Sequence, residues 1–186
     1  MDFRHPKSAE FYRYWLDLPR DGYAPPRDSF LPEEVPSLLP NFMIYEMISD
    51  DYIKIRLLGS NLSEKFGDAC KGGNYLDLVG KDRRIQASQS LWTVVNKPCG
   101  IVGVVEQVMQ NGLSICLESV GLPLLNSDGG NPMILFQKNE LDCEKRLPDS
   151  NTENLDYLKI FKRQFIDIGA GLDGVEEFIY PSLADA

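Results

Sequence analysis

Asn111-Gly112 sits between two long, mostly apolar runs, residues 101–110 and 113–125. Asn-Gly in that position is the strongest short-range signal for a β-hairpin, because tight hairpin turns need backbone with positive φ, which these two residues tolerate. A chain with this hairpin near its middle is committed to antiparallel sheet. Asp128-Gly129-Gly130-Asn131 then turns the chain into a further strand over 132–139. Upstream, residues 41–49 and 52–59 read as two more strands, with Ser49-Asp50-Asp51 supplying turn chemistry between them. Alternation along 52–59 places Ile53, Ile55 and Leu57 on one face and Tyr52, Lys54, Arg56 and Leu58 on the other. The expected sheet therefore has five strands and is largely antiparallel.

Helical patterns surround these strands. Residues 8–18 place Phe11, Trp15 and Leu18 on one stripe with Tyr14 beside it, and Ser8 is the expected N-cap. A helix of about eleven residues is marginal alone, so its aromatic stripe must dock on something. Residues 23–40 carry five prolines and form a connector, with a helical turn expected at 32–39. Between the second and third strands, residues 61–80 read as short helical pieces broken by glycines, with Asn61 as cap and Glu64 completing a capping-box pattern. A longer helix is expected over 82–95, with Ile85, Ser88, Gln89, Trp92 and Val95 on one stripe. Residues 140–153 are polar and read as a loop, and Leu155, Leu158, Phe161 and Phe165 predict a final helix over 153–166. The order is an α+β plan with helices inserted between strands two and three. It divides into an N-terminal helix and connector (1–40), a core (41–140), and a polar linker with a C-terminal helical tail (141–186), of which the last twenty residues carry no assignable pattern.

The composition excludes several function classes. The chain has 186 residues, 43% hydrophobic and 25% charged, which is enough for a core without metal or disulfide staples. Its net charge is -9 and its pI about 4.6, a poor basis for phosphate contacts, so neither nucleic acid nor an anionic membrane is an expected partner. No apolar run is long enough to span a bilayer, and the N-terminus lacks the apolar segment of a secretory signal. Cys70, Cys99, Cys116 and Cys143 are widely spaced, which suits reduced thiols in a cytoplasm. His5 is the only histidine, near an end expected to fray, so a multi-histidine metal site is impossible and a hydrolase triad lacks its base. Gly169-Ala170-Gly171-Leu172-Asp173-Gly174 matches a dinucleotide fingerprint in letters alone, since too few residues follow to complete that unit, and it reads as a loop.

The element order resembles a PAS domain: two strands, short helices, a longer helix, three strands. Tyr14-Trp15-Leu16, Arg20-Asp21-Gly22, Pro25-Pro26-Arg27-Asp28 and Leu38-Leu39-Pro40 resemble the N-terminal segment of the proteobacterial PAS family called PAS_5. Ile55-Arg56-Leu57-Leu58-Gly59-Ser60 is similar to that family's arginine-bearing second strand, with Ser60 where threonine is usual, and Leu62-Ser63-Glu64-Lys65-Phe66-Gly67 to the helix after it. The resemblance covers about residues 10–140. It implies a sensor domain that binds a small molecule or a protein, and not an enzyme; it names no ligand or cofactor.

Several residues are candidates on their chemistry. Arg56, mid-strand, offers a guanidinium to an anionic or carbonyl ligand, or else pairs with Glu46 across the hairpin. Tyr45, Phe66, Tyr75 and Trp92 are aromatic walls for a pocket between the long helix and the sheet, or simply core. Cys116 and Glu118 lie mid-strand beside it. Glu106 and Glu118 come close across the hairpin, which suits acid/base work only if further groups complete a catalytic set, and none does. Asp68-Ala69-Cys70-Lys71 is not the Asn-Cys-Arg-Phe-type motif of flavin photoreceptors. Phe11, Tyr14, Trp15 and Leu18 are candidates for a homodimer face, with intramolecular packing as the alternative. The expectation is a stand-alone cytoplasmic sensory module that binds a small organic ligand, an unidentified signalling protein, or both, and signals in trans. A ligand-free interaction or dimerisation scaffold is the alternative, and a small acid/base enzyme a distant third.

Overall fold

A computed structural model describes residues 2–67, 70–142 and 155–175. Helix α1 (Pro6–Asp17) leads through the proline-rich connector to strands β1 (Phe42–Ser49) and β2 (Tyr52–Leu58). Helix α2 (Ser60–Phe66), short helical turns at Tyr75–Leu78 and Lys81–Arg83, and helix α3 (Arg84–Asn96) follow. Strands β3 (Cys99–Met109), β4 (Ser114–Leu124), β5 (Met133–Glu140) and β6 (Leu155–Asp167) complete the order. All pairings are antiparallel, and the strands lie in the order β2-β1-β5-β4-β3-β6.

The sheet is covered on both faces. On one, α2, α3 and the Tyr75–Leu78 turn pack on Met43, Tyr45, Met47, Ile53 and Ile55. On the other, Phe11 and Trp15 of α1, with Phe30 and Leu38 of the connector, pack on Phe42, Ile44, Val120, Leu122 and Leu135. Double coverage explains why β1 reads Phe-Met-Ile-Tyr-Glu-Met without alternating polar residues: its first six residues are all buried. The connector is pinned to the end of β4, where Arg27 N–H donates to Leu125 O (2.7 Å) and Leu125 N–H donates to Pro25 O (2.9 Å).

The hairpin at Asn111-Gly112 forms with a three-residue loop. Met109 N–H donates to Leu113 O (2.9 Å), Asn111 Oδ1 accepts from Leu113 N–H (3.0 Å), and Gly112 takes φ +80°. The asparagine side chain is spent on the backbone, and glycine supplies the left-handed residue. At the other hairpin Ser49 pairs with Tyr52 around Asp50-Asp51.

Six expectations are corrected. Residues 155–167 form strand β6, not a helix; the strand pairs along the whole of β3, and that partner outweighs the helical spacing of Leu155, Leu158, Phe161 and Phe165. The sheet accordingly has six strands among the described residues, where five were expected. Leu57 does not share a face with Ile53 and Ile55, because Arg56 is the extra residue of a bulge: Ile44 faces Leu57 and Tyr45 faces Ile55. Helix α3 buries Ala87, Ser88, Ser90, Leu91 and Val94 and leaves Ile85 74% exposed, so its packed face is rotated from the expected stripe. The helix caps also differ. His5 Nδ1 accepts from Lys7 N–H (3.1 Å) in place of a Ser8 cap, and Gly59, not Asn61, opens α2. The N-terminus does not fray at His5, since Arg4 and His5 N–H groups donate to the Glu118 carboxylate at 2.7 and 2.9 Å. The expectations for residues 143–153, 176–186 and Cys143 lie outside the described residues.

Trp15 ties α1 to the sheet. It is fully buried, its indole N–H donates to Pro123 O (3.0 Å), and the Arg20 guanidinium stacks 4.2 Å from its ring. Trp15→Ala is expected to cost about 3–5 kcal/mol in urea unfolding. A loss below about 1 kcal/mol would show that the helix is an attachment rather than one wall of the core.

Candidate functional site

Register places an unusual row on the face beneath α3. Arg163 of β6 pairs with Gly103 of β3, Gly103 with Ser119 of β4, and Ser119 with Lys138 of β5. Two long cationic side chains thus stand on outer strands, and two small residues form the floor between them. Three strand spacings separate the ends of the row, about 14 Å. Arg163 and Lys138 lean inward over that floor and line one small cavity of about 20 Å3. That is room for roughly one water molecule. Tyr45, Tyr75, Leu91, Ile101, Val105 and Phe136 complete its walls. Gly121, opposite Phe136 on β4, lets that ring lie flat against the strand; a Cβ there would collide with it.

The electrostatics of the row are uncompensated. Lys138 is 4% exposed and makes neither a hydrogen bond nor an ion pair among the described residues. Its ammonium instead lies 5.6–6.0 Å from the ring centres of Tyr45, Phe66, Tyr75 and Phe136. Ring faces attract a cation but do not replace hydration. Burial, reinforced by the nearby Arg163 guanidinium, lowers its pKa to about 7. Arg163, also buried, donates to Ala87 O (3.4 Å) and to the Tyr75 hydroxyl (3.3 Å), and reaches no carboxylate among the described residues. The Tyr45 hydroxyl is fully buried with no partner among the described residues, and burial pushes its pKa well above the usual tyrosine value.

Of the residues expected to bind a ligand, the structure brings Tyr45, Phe66 and Tyr75 together here and disperses the others. Arg56 pairs with Glu46 at 3.1 Å on the edge hairpin, with 49% of its side chain exposed. Burial pushes the Glu46 carboxyl up, but hydrogen bonds from Arg56 and Asn131 outweigh this and leave it below the usual range. Trp92 is half-buried, donates to Ser49 O (3.3 Å), and borders an open groove outside α3 with Ser88, Gln89 and Lys97. Cys116 and Glu118 lie on the opposite face of the sheet, as their register with Glu106 and Val104 requires. There Glu118 binds the backbone of Arg4 and His5. A buried polar cluster continues from it, in which Asn139 donates to Ser8 Oγ (3.1 Å) and accepts from Gln137 (3.1 Å). Glu106 and Glu118 are thus diagonal neighbours, and Glu118 is occupied as a backbone acceptor. Phe11, Trp15 and Leu18 are buried in the chain's own core, and the Tyr14 hydroxyl bonds the backbone of Leu31, so these four serve intramolecular packing. Gly169–Gly174 lie in a loop.

The sequence reading missed Lys138 and Arg163. Lys138 left a signal: alternation puts it on the same face as Ile134 and Phe136, a charge on an otherwise apolar strand face. Arg163 left none once 153–166 was read as a helix.

With this geometry in hand, the sequence match decides the family. A sequence profile described as PAS_5, a PAS domain, matches residues 3–136. The chain belongs to the PAS_5 family. No curated protein matches the sequence. Solved structures similar to it include the light state of the blue-light photoreceptor Aureochrome1 LOV, at 16% identity and TM-score 0.43, over 61% of this chain and 90% of that one. A light-oxygen-voltage domain studied with a flavin analogue aligns at 15% identity and TM-score 0.46, over 59% and 83%. An RNA-binding light-oxygen-voltage receptor aligns at 13% and 0.42, over 66% and 37%. Family membership rests on the matched sequence span, and the PAS_5 domain here is an α+β fold with an antiparallel sheet and several helices. Among the described residues no helix is long and apolar enough to cross a membrane.

Two predictions follow from the electrostatics. A lysine whose pKa is depressed by folding destabilises the protein fully below about pH 7, and the penalty is relieved as pH rises toward the unfolded value of 10.5. Lys138→Met is therefore expected to stabilise the fold by about 1–4 kcal/mol at about pH 6, with a smaller gain at about pH 9, measured by urea unfolding. Destabilisation at both pH values would mean that the ammonium has a partner. Arg56→Met is expected to cost at most about 1 kcal/mol, since the pair is half-exposed. The Glu46 carboxyl, followed by NMR, should titrate at higher pH in that variant; an unchanged titration would show that Asn131 alone holds it.

Proposed function

We propose that this PAS_5 domain is a sensory module that retains a small organic ligand in the cavity between the sheet and α3 and passes its occupancy to a partner protein in trans. The observation that carries the reading is the buried row Lys138-Ser119-Gly103-Arg163 with the Tyr45 hydroxyl. A core built only for stability gains nothing from two buried cations without a carboxylate partner and a buried hydroxyl without any partner among the described residues, each of which costs free energy. The proposed role is binding rather than catalysis. The cavity closes on a volume of about 20 Å3, so ligand entry moves a wall. The wall suited to moving is α3, which meets the sheet through small residues at Ala87 and Ser90 and carries Ile85 exposed on its outer side. A shift of α3 on occupancy would be read there by the partner.

The net charge of -9 supports a small molecule and a protein as partners over nucleic acid, and a cytoplasmic location is part of the same proposal.

Native mass spectrometry of the purified protein against its denatured mass tests the reading. A stoichiometric retained molecule, lost on denaturation and absent from a Ser119→Leu variant whose side chain fills the floor, is the expected result. A bare chain whose fold and mass are indifferent to filling the cavity favours an interaction scaffold instead.

A further inference from the structure

Two cations facing one cavity, without a counter-charge among the described residues, define the chemistry of what completes it. We infer that the ligand of this module is an organic monocarboxylate, its carboxylate seated over Gly103 and Ser119 between Lys138 and Arg163 and its apolar part among the surrounding rings. The inference rests on the sensory reading above and names the ligand class for that site.

Four observations converge on an anion, and on a carboxylate among anions. Lys138 and Arg163 approach from opposite ends of one sheet row, so a single group on the small-residue floor lies between them. A guanidinium presents paired N–H donors that match the two oxygens of a carboxylate. The Tyr45 hydroxyl, buried without a partner among the described residues, belongs to a side chain that lines the same space and is free to donate. Of the remaining walls, Leu91, Ile101, Val105 and Phe136 carry no polar side-chain atom and the Tyr75 hydroxyl already accepts from Arg163, so a group charged on every side would leave oxygens unsolvated. A carboxylate with one apolar substituent satisfies both halves. Glu118, buried in the same strand as Ser119, is directed to the other face of the sheet and supplies no charge here.

The site also dictates a pH dependence. The groups around Lys138 are Arg163 from β6, Tyr45 from β1, Tyr75 from the turn before α3, and Cys70 beside Tyr45. Tyr45 and Cys70, both pushed up by burial, keep their protons near neutrality. Lys138 alone changes charge there. An anion favours its ammonium form, so binding above about pH 7 takes up a proton and weakens as pH rises.

Isothermal titration calorimetry on the full chain, with acetate, benzoate, benzamide, benzylamine and inorganic phosphate as probes, tests the inference. At about pH 6 benzoate or acetate is expected to bind at least about tenfold more tightly than benzamide and benzylamine, equivalent to about 1.4 kcal/mol. Phosphate is expected to bind more weakly than either carboxylate. Lys138→Met and Arg163→Met should each weaken carboxylate binding about tenfold or more. Tyr45→Phe, which leaves the packing intact and keeps the assay interpretable if a cation variant misfolds, should weaken it severalfold. Affinity should fall from about pH 6 to about pH 8 in the wild type and stay flat in Lys138→Met. Benzamide binding as well as benzoate, phosphate binding best, or carboxylate affinity unchanged in the folded variants would each overturn the inference. A neutral molecule retained in native mass spectra, with no carboxylate bound, would sink the inference while leaving the sensory reading standing. No retained molecule and no carboxylate binding would sink both.

Discussion

Everything in this molecule depends on a sheet that is dry on both faces. A six-stranded antiparallel sheet can leave one face to water, and its strands then alternate. Here the helices between β2 and β3 cover one face, and the segment before β1 covers the other. The N-terminal forty residues therefore supply one of the two layers that cover the sheet. Phe11 and Trp15, each fully buried, contribute the free energy of removing a large aromatic side chain from water, on the order of 1.5–3 kcal/mol apiece. That burial holds a helix too short to persist alone.

Double coverage has a cost that the two faces meet differently. Under α1 Glu118 accepts from the backbone of Arg4 and His5, and Asn139 links Gln137 to Ser8, while Gln137 Oε1 stays buried without a partner among the described residues. That polarity fixes how α1 sits. Under α3 the polarity is left open. Among the described residues Lys138 faces four rings and no anion, Arg163 holds a carbonyl and a phenol but no carboxylate, and the Tyr45 hydroxyl has no partner. The same sheet thus carries a polar cluster bonded into the N-terminal segment on one face and a row of two cations without a carboxylate, among the described residues, on the other.

The strands and hairpins were legible because their signals are local. Asn111-Gly112 and Asp50-Asp51 set turns whose backbone demands few residues meet, and the apolar runs around them have nowhere to go but a sheet. The short motifs around Trp15, Arg56 and Phe66 carried the PAS_5 resemblance, which the profile match over residues 3–136 bears out. The aromatic part of the site was legible for the same reason, since Tyr45, Phe66 and Tyr75 are large residues on elements whose order was known. The spacing of Leu155, Leu158, Phe161 and Phe165 misled, because a helical stripe and a strand buried on both faces place apolar residues at overlapping positions, and only a partner strand decides between them.

The sequence by itself determined the local geometry: which segments turn, which extend, and that an aromatic helix had to dock. Tertiary structure decided which side chains meet. The bulge at Arg56 swung that guanidinium to the sheet edge and into a pair with Glu46, and the register of four strands brought Lys138 and Arg163, on strands that are not neighbours, to the two ends of one row. Strand register is a property of pairs. A shift of one residue turns every side chain to the other face, so the charge of the cavity was fixed by long-range pairing that no single segment encodes.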